Sequence, residues 1–128
     1  MRLLLDTHVF LWFLAGDARL RAPMRGRIES KAHDKFLSVA SVWEMAIKVS
    51  LGKLKLKDPL GEIVDRGASA NGITVIAIAK DHALRVGTLP WHHRDPFDRL
   101  LAAQAMHEGM AILTGDRAFD AYGVRRVW

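Results

Sequence analysis

Four carboxylates stand within or beside the apolar runs of this chain. Asp6 follows Leu3-Leu4-Leu5, Glu44 lies within the apolar stretch 41–49, Asp98 comes two residues after Pro96, and Asp116 follows Thr114-Gly115. Taken singly, most have a structural reading. Asp98 falls at N3 of a helix with Asp95 as N-cap and Pro96 at N1, where a carboxylate favours the helix dipole by about 0.3–1 kcal/mol. Ser41-Val42-Trp43-Glu44 fits a capping box, unless Ser38 is the cap and Glu44 sits in the second turn. Asp116 suits a turn after Gly115. Asp6 is hardest to dismiss, because it is attached directly to a buried run. Together, four acids in one crevice repel each other and need a cation. Oxygen donors without cysteine or a spaced histidine pair suit Mg²⁺ or Mn²⁺. Such an ion lowers the pKa of bound water and neutralises charge on a phosphodiester. Thr7 and Thr114, beside two of the acids, are candidates to bind a carboxylate or a metal-bound water, against simple turn capping.

The elements that must deliver these residues alternate. Leu3–Leu5 reads as a continuous apolar strand buried on both sides. A short, wholly apolar helix over 9–15 follows, ended by Gly16, and a basic helix over 19–31 with Pro23 in its first turn. Residues 36–39 form a second strand and 41–49 a helix; Lys53-Leu54-Lys55-Leu56-Lys57 is an exposed segment. A helix from Asp58 to Asn71-Gly72, a third strand over 73–78 and a short helix over 81–86 come next. The helix after Asp95 stops at Gly109, a fourth strand covers 110–113, and 124–127 forms a last short strand. Strands alternating with helices predict an α/β fold, a central parallel sheet of four to five strands with helices on both faces. Right-handed crossovers then open every strand-to-helix junction on one sheet edge, where all four acids can meet. Because the helix over 9–15 is apolar all round, its outer side calls for a neighbouring helix or a partner chain.

The 128 residues form one domain with ample material for a core, and the absence of cysteine excludes disulfides and thiolate metal sites. The longest apolar run is far short of the ~20 residues a membrane helix needs. A cytoplasmic protein without a leader or a membrane contact is expected. Net charge is +5, from 19 Lys and Arg against 14 Asp and Glu. If the four acids are neutralised by a metal, 19 basic residues face only ten acidic ones, a surface that attracts polyanions such as nucleic acid. The six histidines lack zinc-type spacing, and His92-His93 are read as loop-packing or phosphate-contacting residues.

Four segments, Leu4-Leu5-Asp6-Thr7-His8, Ser41-Val42-Trp43-Glu44-Met45-Ala46-Ile47-Lys48, His93-Arg94-Asp95-Pro96-Phe97-Asp98-Arg99-Leu100-Leu101 and Leu113-Thr114-Gly115-Asp116, resemble the successive motifs of PIN-domain proteins. The likeness is to the VapC-type toxins of prokaryotic toxin–antitoxin pairs, and it covers essentially the whole chain. It implies a PIN-like nuclease domain over 1–128, and an endoribonuclease that uses Mg²⁺ or Mn²⁺, is usually a homodimer, and is silenced by an antitoxin covering its groove. Carried over by position, the metal-binding and catalytic acids are Asp6, Glu44, Asp98 and Asp116, with Thr114 as the hydroxyl that accompanies the last acid. Asp6, Glu44 and Asp98 would hold the principal ion, with Asp116 supporting a second ion or a water. Asp95 is set aside as an N-cap, and Lys48 is a candidate to hold the RNA strand. Two rivals differ in class. An Asp-nucleophile phosphatase resembles Asp-x-Asp-x-Thr, but His8 stands where the second acid belongs. A non-catalytic RNA-binding module would keep its affinity with all four acids removed.

Overall fold

Leu3, Leu4 and Leu5 are fully buried because their strand, β1 (Arg2–Leu5), is the middle of a five-stranded parallel sheet. The structure, a computed structural model, describes residues 1–91 and 95–128; His92 and His93 lie outside the described residues. The strands β2 (Asp34–Ser38), β3 (Ile73–Ile76), β4 (Ala111–Leu113) and β5 (Arg126–Val127) complete the order β3-β2-β1-β4-β5. The register pairs Leu4 with Phe36 on one side and with Ile112 on the other.

Successive side chains of a strand point to opposite faces, so the triple leucine feeds two cores. Leu3 and Leu5 join Phe10 and Phe13 of α1 (Thr7–Ala15), Met24 and Ile28 of α2 (Ala22–Glu29), Met45 of α3 (Val39–Ser50) and Val64 of α4 (Leu60–Ala70). Leu4 and Ile112 join Leu101 and Ala105 of α6 (Pro96–Glu108) and Phe119 of a 3-10 turn (Arg117–Tyr122). A short helix, α5 (Lys80–Val86), packs beside α6. The expected sheet with helices on both faces is the observed architecture.

Several boundaries move for local reasons. Helix α2 begins at Ala22, not Arg19, because the Asp17 carboxylate accepts from the Arg19 backbone N–H at 2.9 Å and from its guanidinium at 2.7 Å, fixing a turn there. Strand β3 stops at Ile76, two residues early. The buried Gln104 side chain donates to the Ala77 carbonyl at 3.1 Å, taking a group that a longer ladder would use. β3 is also an edge strand, with Thr74 and Val75 exposed. Helix α1 is covered largely from within the chain. Val9, Phe10 and Phe13 face the core, and Gly67 of α4 lets Leu14 approach so closely that a Cβ there would lie 2.9 Å from its methyl carbons.

The cap of α3 decides the role of Glu44. Ser38 is the N-cap, its Oγ accepting from the Ala40 N–H at 3.0 Å. The Ser41–Glu44 capping box therefore does not form, and Glu44 lies in the second turn. Ser41 instead accepts a buried hydrogen bond from the Thr7 hydroxyl at 2.8 Å. The Thr7 hydroxyl thus ties α1 to α3, a role neither of its sequence readings, turn cap or carboxylate partner, included. Loss of the Ser38 cap in Ser38→Ala should cost about 1 kcal/mol. Urea unfolding should show a lower midpoint with an unchanged slope; an unchanged midpoint would show that α3 starts without it.

Candidate active site

Every strand of a parallel sheet ends on the same edge; β1, β2 and β4 lead to three of the acids, and the first turn of α6 carries the fourth. Asp6 leaves β1 and occupies the N-cap position of α1, yet its side chain makes no capping bond. Its backbone N–H instead donates to the Leu113 carbonyl at 3.2 Å, joining the exits of β1 and β4. The fully buried Thr114 completes that junction. Its hydroxyl donates to Asp6 Oδ2 at 2.8 Å and accepts the Asp116 N–H at 3.0 Å. Glu44 arrives from α3 behind β2, and Asp98 from the first turn of α6.

Burial and mutual charge are the main electrostatic facts here. Asp6 is 8 % exposed and Glu44 6 %. Burial pushes the Asp98 carboxyl up to about 8, and the charges of Asp95, Asp6, Glu44 and Asp116 add to the rise. Burial also raises Asp6; the Thr114 hydrogen bond and His8 pull it back, and Glu44 pushes it up again. Four acids from four elements therefore share one field. Asp6, Asp98 and Asp116 line a cleft of about 500 Å³ together with His8, Trp12, Arg19, Gly115 and Trp128. Glu44 lines a second groove with Lys48 and Phe97.

Neighbouring groups hold these acids in place. Lys48 Nζ lies 3.2 Å from Glu44 Oε2, one helical turn away, so it neutralises an acid at the rim. Asp95 is a cap as expected, accepting from the N–H groups of Phe97 at 2.9 Å and Asp98 at 3.3 Å. Asp116 accepts the Ala118 N–H at 2.9 Å and starts the 3-10 turn, so its turn reading holds alongside its place in the cleft. Arg99, 2 % exposed beside Asp98, donates to the carbonyls of Val86, Leu89 and Pro90 and to the Tyr122 hydroxyl. It straps the segment before α6 onto that helix, a role its sequence position did not reveal.

A hard divalent cation suits carboxylate oxygens as donors, but no three of these four acids bring ligand atoms within 4.8 Å of one another. Among the described residues, the group of three ligand atoms within 4.8 Å of each other is a different one: His82, His107 and Glu108. The spacing argument missed it because His82 and His107 come from different helices. Its hydrogen bonds speak against an ion. His82 Nδ1 accepts the Ala79 N–H at 2.9 Å, so Nε2 carries the proton and donates to Glu108 Oε1 at 2.8 Å. A metal on Nε2 would need that proton moved to Nδ1, where a backbone N–H already points. The group joins α5 to α6.

The chain belongs to the PIN domain family, whose model matches residues 3–124. No curated protein sequence matches it. Among solved structures, the chain is similar to VapBC2 from Rickettsia felis bound to a DNA fragment from its promoter, at 17% identity and a TM-score of 0.76, covering 99% of this chain and 98% of that one. It also resembles DNA-bound VapBC from Salmonella typhimurium (16% identity, TM-score 0.70, 99% and 97% covered). FitAcB from Neisseria gonorrhoeae follows, at 17% identity and a TM-score of 0.66, with 98% and 96% covered. At these identities the likeness is one of fold.

The raised Asp98 carboxyl has a measurable consequence. Between its ordinary value of 3.8 and about 8, the unfolded chain ionises Asp98 while the metal-free native state keeps it protonated. The native state binds more protons there, so this stability is complete below the lower value and lost as pH rises through the upper one. In EDTA, the melting temperature of wild type minus that of Asp98→Asn should fall steadily from pH 4 to pH 8. A difference that rises with pH would show that Asp98 is a structural carboxylate of ordinary or lowered pKa.

Proposed function

We propose that this chain is a divalent-metal-dependent endoribonuclease, the toxin of a prokaryotic toxin–antitoxin pair. The observation that carries the reading is that Asp6, Asp98 and Asp116 line one cleft of a PIN-domain chain. Asp6, Glu44 and Asp98 would hold the principal Mg²⁺ or Mn²⁺, with Asp116 supporting a second ion or a water. Bound there, the cation would make a water easier to ionise and would neutralise charge on the scissile phosphodiester.

The remaining work falls to this chain's own groups. Thr114 fixes the Asp6 carboxylate and the Asp116 backbone relative to each other, so both acids keep their places when the charge of the cleft changes. Lys48 pairs with Glu44 when no cation is present and stands at the rim where a phosphate would pass. The excess of Lys and Arg over Asp and Glu draws the strand in. An antitoxin protein that covers the cleft, a homodimer and a cytoplasmic setting belong to the same reading; the fold shared with VapBC and FitAcB structures supports it. Among the described residues no helix is long and apolar enough to cross a membrane.

Purified protein should cut RNA in Mg²⁺ or Mn²⁺ and stop in EDTA. Loss of groups that merely orient metal ligands costs roughly 10–100-fold, so Thr114→Val should fall in that range. Asp6→Asn and Asp98→Asn should lose about a hundred-fold or more. Undiminished cutting in EDTA would refute the metal. RNA binding without cutting, unchanged in the Asn variants, would leave a binding module.

A further inference from the structure

The sheet edge opposite the acids carries a cavity of its own. Where β1, β4 and β5 begin, a hollow of about 550 Å³ is lined by Arg2, Arg85, Arg125, Met106, Met110 and Val124 among others. The three arginines come from three separate segments, and no acidic residue lines the hollow. Glu108, next to Gly109 at the rim, is already engaged, its Oε1 accepting from His82 Nε2 at 2.8 Å.

Helix C-termini gather at this edge of a parallel sheet, and their free carbonyls would repel an anion. Here those carbonyls are occupied. The Arg2 guanidinium donates to the Glu108 carbonyl, and the Met110 N–H to that of Ala105 at 2.8 Å. At the end of α5 the Thr88 hydroxyl donates to the Arg85 carbonyl at 2.8 Å and Arg99 to that of Val86 at 3.0 Å. Arg85 and Arg125, by contrast, have no side-chain hydrogen bond or ion pair among the described residues. The hollow is therefore a positive site with two guanidinium groups unused.

The guanidinium fork matches the oxygens of a phosphate, which it binds through paired hydrogen bonds. Between the arginines the lining is apolar, and methionine adapts its shape to a flat ring and makes favourable sulfur contacts with it. The volume lies within the roughly 300–1,000 Å³ of pockets that enclose one small ligand. We propose that this hollow binds a nucleoside monophosphate, with the phosphate on Arg85 and Arg125 and the base against Met106 and Met110. The site is separate from the acid cleft and does not depend on the nuclease reading.

The test is a titration of the full chain, labelled at its methionine methyl carbons, followed by NMR in EDTA. The probes are adenosine and uridine monophosphates, adenosine, inorganic phosphate and a short single-stranded RNA. The five methionines separate the outcomes, because Met106 and Met110 line the hollow whereas Met24 and Met45 lie in the core on the other face of the sheet. Both nucleotides should shift Met106 and Met110 saturably and leave Met24 and Met45 in place. A charge-assisted hydrogen bond is worth roughly ten-fold or more in affinity, so Arg85→Ala and Arg125→Ala should each weaken binding by at least that factor. Asp98→Asn should bind as wild type does. Absence of these shifts, unchanged affinity in both arginine variants, or inorganic phosphate or adenosine binding as tightly as the nucleotides would overturn the proposal. So would shifts produced by the RNA strand and by neither nucleotide. Nucleotide binding by a protein that cuts no RNA would keep this site and remove the nuclease reading.

Discussion

The Thr114 hydroxyl sits between two acids and is held by both. It donates to the Asp6 carboxylate and accepts the backbone N–H of Asp116, with no exposure to water. That arrangement requires β1 and β4 to be neighbours and parallel, so that both end at one height on one sheet edge. It also requires β5 beside β4, since the Thr114 N–H donates to the Val127 carbonyl at 3.2 Å. A buried hydroxyl satisfied on both sides has one orientation, and it passes that fixity to the carboxylate. The sheet order can be understood as the support this junction needs.

Around it the molecule tolerates an electrostatic cost. A carboxyl raised to about 8 is one the fold would hold more easily if it were neutral. Stabilising structural acids do the opposite, as Asp17 shows, its carboxyl lowered to about 2 by hydrogen bonds from Arg19. The two aspartates differ in surroundings, one among acids in a cleft and one exposed beside a guanidinium. Departures of the Asp98 kind concentrate where a site performs chemistry.

Much of this was legible in the residues. The triple leucine, the Asp95-Pro96 helix start and Gly109 at its end predicted β1 and α6 almost to the residue, because each rests on local chemistry. The choice between Ser38 and Ser41 as cap was visible as a choice, and only the partner of Ser41 across space, Thr7, explains its outcome. Longer-range facts left no local signal. Gln104 ending β3 at Ala77 and Arg99 strapping the segment 86–90 each depend on a contact partner that spacing does not identify. The same holds for His82 and Glu108, whose meeting is a matter of α5 lying against α6.

The central claim is that Asp6, Glu44 and Asp98 hold a cation together, and proton release measures it most directly. Metal binding must displace the proton that Asp98 holds at neutral pH. Calorimetric titration with Mn²⁺ at pH 7, in buffers of different ionisation enthalpy, should show close to one proton released per ion bound. Release should vanish in Asp98→Asn, and binding should weaken strongly in Asp6→Asn. Mn²⁺ binding with no proton released, or with equal affinity in both variants, would contradict the account.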